Sequence, residues 1–303
     1  MADRNGCRAP PLRISPAHAP EGSLTPEAAA AVDVLKHKLA AEVESWNTAA
    51  AAEGAALLDD FTLHRFLLAR PESVEAALGM VRTASEWRAE RNISRLYADL
   101  RPTAEAATSE RARLVQRHFY AGRGGVTRDG SPFFIERLGR ADLSGYARNP
   151  ALLALMLDAY AAYLEDVFRS VREASARRGT LVRAIIVVDA SGASLSTLRH
   201  IGIIKQVASI GPPHFPEGSS RVLIINAPRI LAIIWGAISP LLPARTRAKV
   251  CFHAEGTTAA ALDEIIDSPE LPAFLGGARP DAQCAMPEAQ PVPGDVAEFG
   301  DNY

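Results

Sequence analysis

An acidic residue closes one of the most apolar runs of the chain, Ala184-Ile185-Ile186-Val187-Val188-Asp189. A carboxylate at the carboxyl end of a buried strand is where α/β enzymes often place a catalytic or nucleotide-binding group. The Ser191-Gly192 pair that follows is typical of a turn, and an aspartate before such a turn commonly caps it. The sequence favours the capping role and leaves catalysis as the alternative.

Motifs of the common enzyme classes are absent from the sequence. It contains no GxSxG elbow, no P-loop and no HExxH, and its seven histidines lack metal-ligand spacing. Cys7, Cys251 and Cys284 are far apart, so we expect reduced thiols and neither a zinc site nor a disulfide framework. We therefore expect no enzyme activity, no metal and no catalytic cofactor.

Lysine is rare in this chain. Of the 33 basic residues only four are lysines, at positions 36, 38, 205 and 249, so a lysine at a particular place is harder to dismiss as background. A formal net charge of −2 does not fit a uniformly basic nucleic-acid binder, and 48% apolar residues do not fit a disordered chain. Binding to an anionic surface would need a local cluster of charge.

The N-terminal third predicts a small helical domain. Residues 1–25 are rich in Pro and Ala without periodicity, and we expect a disordered leader with no secretion signal. Thr25 is a suitable N-cap, and Ser73 is expected to cap a later helix, after a helical unit that stops at Pro71. The helical domain is placed at 26–100.

The pattern then changes to alternating strands and helices. Residues 133–138 follow a turn and predict a strand, and a helix of roughly 28 residues should run from Asn149-Pro150 to near Gly179. The apolar runs at 184–189 and 221–226 predict buried parallel strands. Gly122-x-Gly124-Gly125 precedes a strand, the wrong context for a dinucleotide loop, and is interpreted as a flexible turn.

The stretch from Val222 to Leu242 is apolar enough to raise a transmembrane helix as an alternative. Asn226, Pro228, Arg229 and Pro240 interrupt it, and its first part is strand-like. The sequence favours a soluble α/β fold.

Six short motifs follow one another in a specific order and spacing between about Leu57 and Gly277. They are Asp60-x-Thr62-Leu63-x-Arg65-Phe66-Leu67-x-Ala69-Arg70, Asp129-Gly130-Ser131-Pro132, Val188-Asp189-Ala190-Ser191-Gly192, Phe215-Pro216-Glu217, Ile224-Ile225-Asn226-Ala227-Pro228 and Leu271-Pro272-x-x-x-Gly276-Gly277. Together they resemble the CRAL-TRIO family of lipid carriers.

The resemblance implies an N-terminal helical domain and a CRAL-TRIO domain at 107–279, with a C-terminal tail at 280–303. In this domain a mainly parallel sheet forms the floor of a deep apolar pocket, and a mobile helix serves as the gate of that pocket. A two-chain lipid exposes some 30 methylenes, so its bare transfer through water would cost on the order of 24 kcal/mol, and carriage needs a closed box. We expect a monomeric, cytoplasmic carrier that touches membranes transiently, binds no nucleic acid and has protein partners that the sequence does not name.

Alternate strand residues are expected to form the pocket walls, although the sequence does not say which face looks inward. Ordinary core packing is the alternative for each of them. The expected wall residues are Phe133, Ile135, Ile185, Val187, Leu223 and Ile225.

The expected gate is the segment 229–242, which is apolar over most of its surface and must be buried or meet lipid. An ordinary core helix is the alternative. The gate residues are Ile230, Ile233, Ile234, Ile238 and Leu241 as one apolar face, with Trp235 and Leu231 beside it.

The family's phosphatidylinositol-binding members use a Glu and a Lys with a helper Arg and Thr. By resemblance these fall on Glu217, Lys249, Arg70 and Thr246. Lys249 and Thr246 lie three apart on a presumed helix, so an ammonium and a hydroxyl can both reach a phosphate. A structural Glu217–Lys249 ion pair is the alternative.

The sequence departs from the family pattern in two ways. Gly218 and Pro71 stand where a phosphatidylinositol-binding member has basic residues, so we expect a less cationic headgroup site. The hydroxyl positions that hold phosphatidylcholine fall on Ala184, Ile186 and Gly211, which suggests a more hydrophobic exchange partner, such as a sterol or isoprenoid lipid. A carrier of one sterol-, tocopherol- or retinoid-like ligand and a lipid-sensing scaffold remain alternatives.

Overall fold

The computed structural model describes residues 23–52, 58–101, 109–281 and 292. Most of the expected leader and tail lies outside these residues. Within them the helices are α1 Pro26–Lys38, α2 Ala40–Ala52, α3 Asp60–Ala69, α4 Val74–Glu90, α5 Ile93–Leu100, α6 Glu110–His118, α7 Leu143–Arg148, α8 Pro150–Arg178, α9 Leu195–Arg199, α10 Ile201–His214, α11 Leu231–Ile238, α12 Ala244–Ala248 and α13 Glu255–Asp263. The strands are β1 Ala121–Val126, β2 Pro132–Glu136, β3 Ala184–Asp189, β4 Ser219–Ile225 and β5 Val250–Phe252.

Side-chain caps begin the N-terminal helices, as the sequence predicts. The Thr25 side chain accepts a hydrogen bond from the Ala28 amide, and Ser73 accepts one from Ala76. Each cap satisfies one of the amides that a helix start leaves unpaired. The helix expected after Thr25 is interrupted at Leu39, but its apolar stripe still meets the core of the helical region.

The five strands form one sheet in the order β1-β2-β3-β4-β5. β2 to β5 run parallel, which confirms the parallel pairing expected for β3 and β4, and β1 is antiparallel to β2.

The glycine-rich segment at 122–125 is part of β1, so the expectation of a flexible turn is wrong. A Cβ at Gly124 would lie 2.0 Å from the Phe133 ring, and Gly125 has a φ of +151°. The glycines therefore let an aromatic side chain of the neighbouring strand lie against the β1 backbone.

The two faces of the sheet are covered differently. One face packs against α13 and the chain that follows it, in a core that includes Phe133, Ile135 and Leu262. The other faces the 29-residue helix α8, which starts at an Asn149 cap and ends at Gly179 in the left-handed conformation, as predicted. Because neighbouring strand residues point to opposite faces, each strand contributes to both sides.

A buried arginine joins the helical region to the sheet region. Arg65 of α3 donates hydrogen bonds to the Glu217 carbonyl at 2.7 Å, to the Val182 carbonyl at 2.5 Å and to the Ser175 hydroxyl at 3.1 Å. Burial, together with the charge of the nearby Arg183, lowers the pKa of Arg65 to about 9, although Asp59 and Glu217 act in the opposite direction. The guanidinium is held mainly by carbonyl and hydroxyl oxygens.

Two further observations concern the described part of the chain as a whole. No helix in it is both long enough and apolar enough to cross a membrane, and no group of three or more acidic, histidine or cysteine side chains is arranged to hold a metal ion.

Cys251 is disulfide-bonded, so the expectation that all three cysteines are reduced thiols is wrong for this residue.

Candidate functional site

A cavity lies between the sheet and the helices that cover its α8 side. Its volume is about 260 Å³. It is lined by the sheet, by α8 and α10, by the end of α3 and by residues around α12. The sheet residues that line it are Glu136, Ile186, Val188, Ser219, Val222, Ile224 and Val250.

The strand residues expected to line the pocket lie on the other face of the sheet. Phe133, Ile135, Ile185, Val187, Leu223 and Ile225 all belong to the packed core beneath α13. The six wall assignments are therefore wrong by one residue of register. The strands are apolar on both faces, so no polar alternation marked the inward side.

Two of the positions that mark the loss of phosphatidylcholine-binding hydroxyls do line the cavity. Ile186 lies on its floor and Gly211 on its α10 wall. Ala184 is buried at the start of β3. The lining at Ile186 and Gly211 is apolar, in agreement with the wall reading of these positions.

Asp189 caps its own turn, as the sequence favours. Its carboxylate accepts hydrogen bonds from the Ser191 amide and hydroxyl, both at 3.0 Å, and from the Asn226 side-chain amide at 3.0 Å. These bonds tie the ends of β3 and β4 together. The carboxylate is occupied by structural partners.

Glu217 and Lys249 meet at the cavity. Lys249 Nζ donates to Glu217 Oε2 at 2.8 Å, and the side chains of Lys249 and Glu217 are only 17% and 6% exposed, respectively. Thr246 and Arg70 line the same cavity. The structure thus brings all four predicted headgroup residues to one place.

Local structure fixes each member of this group. Thr246 lies in α12 and Lys249 is its C-cap, so the two are three apart on one short helix, as expected. The Lys249 carbonyl also accepts from the Val222 amide at 2.9 Å, which anchors it to β4. Glu217 has a left-handed φ of 52°, an uncommon conformation for a residue with a side chain, and the Arg65 bond to its carbonyl helps hold it.

Two further arginines surround the Glu217 carboxylate. Arg245 Nε lies 3.4 Å from Oε1, and Arg183 Nε lies 3.4 Å from Oε2. Three cations therefore share one carboxylate, so the site carries positive charge although Gly218 and Pro71 are not basic. With lysine so rare, arginine dominates the basic residues, so neither arginine stands out in the sequence.

The electrostatics of the pair reflect this excess of positive charge. Burial raises the pKa of Glu217, but the Lys249 hydrogen bond and the charges of Lys249, Arg183 and Arg245 together hold it below its usual value. Burial lowers the pKa of Lys249, Glu217 raises it, and Arg183 and Arg245 lower it again, so that the net direction is downward. An anion entering this site would relieve the repulsion among the cations.

Glu136 is a cavity residue that the search for functional residues missed. It is the last residue of β2 and lies on the cavity floor beside Val188 of β3. The signal was present, since a glutamate ends a run of large apolar residues in a predicted buried strand.

The proposed gate segment is divided among three environments rather than presenting one apolar face. Ile234 and Ile238 are buried in the core with Leu231, whereas Ile233 is 60% exposed and Leu241 is 51% exposed. Ile230 is half-buried at the start of α11. The single face expected from Ile230, Ile233, Ile234, Ile238 and Leu241 is therefore wrong.

Trp235 is the α11 residue that reaches the cavity. Its ring meets Phe252 of β5 edge to face, with 5.4 Å between ring centroids. The helix thus touches the cavity, the core and the surface at once.

The fold and the cavity together define a class of lipid carriers, and the family comparison agrees. Residues 116–277 match the CRAL/TRIO domain, so the chain belongs to this family of lipid-binding and lipid-transfer proteins.

The chain is similar to several curated proteins over about seven-tenths of its length. It is 30% identical over 229 residues to "Protein real-time" of Anopheles gambiae, covering 71% of this chain and 31% of that protein. It is 28% identical over 225 residues to "Phosphatidylinositol/phosphatidylcholine transfer protein SFH9" of Arabidopsis thaliana, covering 72% and 37%. The chain thus spans about a third of the length of these relatives.

A solved structure shares the fold. The crystal structure of Sfh5 superposes with a TM-score of 0.59 at 13% identity, covering 88% of this chain and 94% of that one. At this identity the likeness concerns the fold alone.

Proposed function

We propose that the protein binds phosphatidylinositol in the cavity and exchanges it at membrane surfaces for a second, more hydrophobic lipid. The inositol phosphate would be held by Lys249, Thr246 and Arg70, and Glu217 would accept hydrogen bonds from inositol hydroxyls. The observation that carries the proposal is the Glu217–Lys249 pair at the cavity, with Arg245 and Arg183 beside it. These three cations share a single carboxylate, and a phosphodiester would bring a second negative charge for them to bind.

The apolar lining supports the second half of the proposal. Acyl chains would lie along Ile186, Val188 and Ile224 of the sheet and Leu164 and Val167 of α8. Removing such chains from water is favourable by about 0.8 kcal/mol per methylene. The carrier would be cytoplasmic and monomeric, with α11 and the turn after it moving to admit the lipid.

The test is transfer of labelled phosphatidylinositol between vesicles by the parent protein and by Lys249→Ala. We expect at least about a tenfold loss of rate, since a charge-assisted bond to phosphate contributes about 1.5–3 kcal/mol. Lys38→Ala is the matched control, because Lys38 forms an ion pair of 2.6 Å with Glu75 in the helical region, away from the cavity. Melting curves of both variants separate loss of binding from loss of fold. A Lys249→Ala rate within twofold of the parent would overturn the headgroup assignment.

Membrane contact would be helped by the basic residues next to α11. Arg229 and Arg247 are exposed, and Arg245 is about half exposed. Each basic charge near an anionic leaflet contributes about 1 kcal/mol. Binding to vesicles containing phosphatidylserine should weaken steeply as salt rises, and salt-insensitive binding would contradict this role.

A single-ligand carrier is the second candidate, since most of the cavity wall is apolar. Mass spectrometry of lipids extracted from the purified protein separates the two. Stoichiometric phosphatidylinositol supports exchange. A neutral lipid alone would make Glu217 and Lys249 a structural pair.

A further inference from the structure

The cavity has a second polar pole, at Glu136. Lys249 lies next to β5, whereas Glu136 ends β2, so three strand spacings separate them across the floor. At about 4.8 Å per spacing the two poles are at least about 14 Å apart. A phosphate held by Lys249 therefore does not reach Glu136, so this pole would meet a different part of a ligand.

Glu136 also borders a smaller cavity of about 90 Å³, which shares Tyr160 with the large one. The surface of this smaller cavity is almost wholly apolar. It is lined by residues that include Phe119, Leu143, Met156, Leu157 and Ile203. The carboxyl is thus a polar group at the junction of two apolar spaces.

Two phenols of α8 lie beside the carboxyl. Tyr160 and Tyr163 both act on its pKa, and their rings are 5.7 Å apart between centroids. Tyr163 is fully buried, yet its hydroxyl has no hydrogen-bond partner of normal geometry among the described residues. Buried hydroxyls are usually paired, so this one marks a place where a ligand group or a water belongs.

The charge state of the site restricts what it could bind. Burial raises the pKa of Glu136 to about 7, although the two tyrosines act in the opposite direction. A carboxyl that is partly protonated near neutral pH can both donate and accept a hydrogen bond, which suits a hydroxyl group. A phosphate would gain little here, because the neighbours that act on this carboxyl are phenols rather than cations.

We propose that Glu136, with Tyr160 and Tyr163, binds the single hydroxyl of an otherwise apolar lipid, such as a sterol or an isoprenoid alcohol. The body of that lipid occupies the large cavity or extends past Glu136 into the small one. This inference rests on the proposed function in that it names the chemical class and the anchor of the exchange partner.

The experiment measures binding of dehydroergosterol, a fluorescent sterol, to the parent protein and to Glu136→Leu and Glu136→Gln. Leucine removes the polar partner, whereas glutamine keeps a donor and an acceptor in the same shape. We expect Glu136→Leu to bind about tenfold more weakly and Glu136→Gln to stay within about threefold of the parent. Tyr163→Phe, which removes only the unpaired hydroxyl, should lower affinity by a smaller factor. Farnesol, competing against dehydroergosterol, extends the test to isoprenoid alcohols.

A matched ligand provides the sharpest control. The acetate ester of dehydroergosterol lacks the hydroxyl donor, and the parent protein should bind it about tenfold more weakly than the free sterol. Equal binding of sterol and ester would overturn the proposal. So would unchanged sterol binding in a folded Glu136→Leu protein, or a Glu136-dependent site for phosphatidylcholine with no affinity for sterol or farnesol.

Phosphatidylinositol transfer separates this inference from the proposed function. A parent protein that transfers phosphatidylinositol but binds neither dehydroergosterol nor farnesol would overturn this inference and leave the headgroup proposal standing. If the parent transfers no phosphatidylinositol but binds sterol through Glu136, the headgroup proposal fails and the present one stands.

Discussion

The two faces of the sheet are built from the same strands, but one face is packed in a core and the other lines a cavity. Ile185 and Ile186 are neighbours in β3 and both are buried, yet Ile185 packs under α13 and Ile186 lines the cavity. The same contrast separates Val187 from Val188. Two faces of similar apolar composition can therefore be a filled core on one side and a binding space on the other.

What distinguishes the faces is the partner that covers them. The packed face meets short segments, α13 and the turns that follow it, which fit closely against the strands. The cavity face meets the long helix α8, and the space between this helix and the sheet is lined also by residues of α10, α11 and α12. Packing geometry, rather than hydrophobicity, decides which face leaves room for a ligand.

The largest expected contrast is in stability. Ile185→Ala should lower the free energy of unfolding by about 2–5 kcal/mol, because it opens a hole in a closed core. Ile186→Ala should cost roughly half as much, since its side chain already borders empty space. Urea unfolding of both variants measures the difference. Equal losses would mean that the two faces are packed alike.

A second pair sharpens the contrast by adding volume. Val187→Phe overfills the packed face and should destabilise the protein by about 1–3 kcal/mol. Val188→Phe has space to occupy, so its melting temperature should stay near that of the parent while lipid transfer falls. A Val188→Phe protein that transfers lipid normally would show that this part of the cavity is not used.

The smallest expected effect concerns pH and Glu136. Its pKa is about 7 in the folded protein against 4.5 as the ordinary value, so the folded state holds a proton that the unfolded state releases. Stability from this group is present below about pH 4.5 and is lost as pH rises through 7. Relative to Glu136→Gln, the parent should therefore lose on the order of 2 kcal/mol between pH 5 and pH 8. Denaturant titrations of both proteins at several pH values would test this, and a constant difference would contradict it.

The sequence predicted the elements better than their faces. Caps and breakers carry local signals, so Thr25, Ser73, Asn149 and Gly179 mark helix ends that the structure confirms. The strand register against the cavity carries no such signal, because both faces of β3 are apolar throughout. The glycines of β1 indicate a turn when taken from the sequence alone, because the contact with Phe133 that requires them lies on the next strand.

The candidate site was recovered in part, for a related physical reason. Glu217 and Lys249 were found through family resemblance, and the rarity of lysine made Lys249 conspicuous. Arg183 directly precedes β3 and Arg245 lies in α12. Only the folded chain brings both arginines to Glu217. In a chain so rich in arginine, a charge becomes informative only once its neighbours are known.

The buried guanidinium of Arg65 has a consequence for recombining parts of such proteins. Its N–H groups donate to the backbone carbonyls of Val182 and Glu217. An α/β region moved into a chimeric protein would still contain these two carbonyls. If the α/β region were joined to an N-terminal region without an arginine at this position, those two carbonyls would lose the hydrogen bonds that Arg65 donates. The loop that carries Glu217 would then lose its support. Chimeras that exchange the helical region should therefore keep this arginine, and their junctions should be chosen by this contact rather than by the linker.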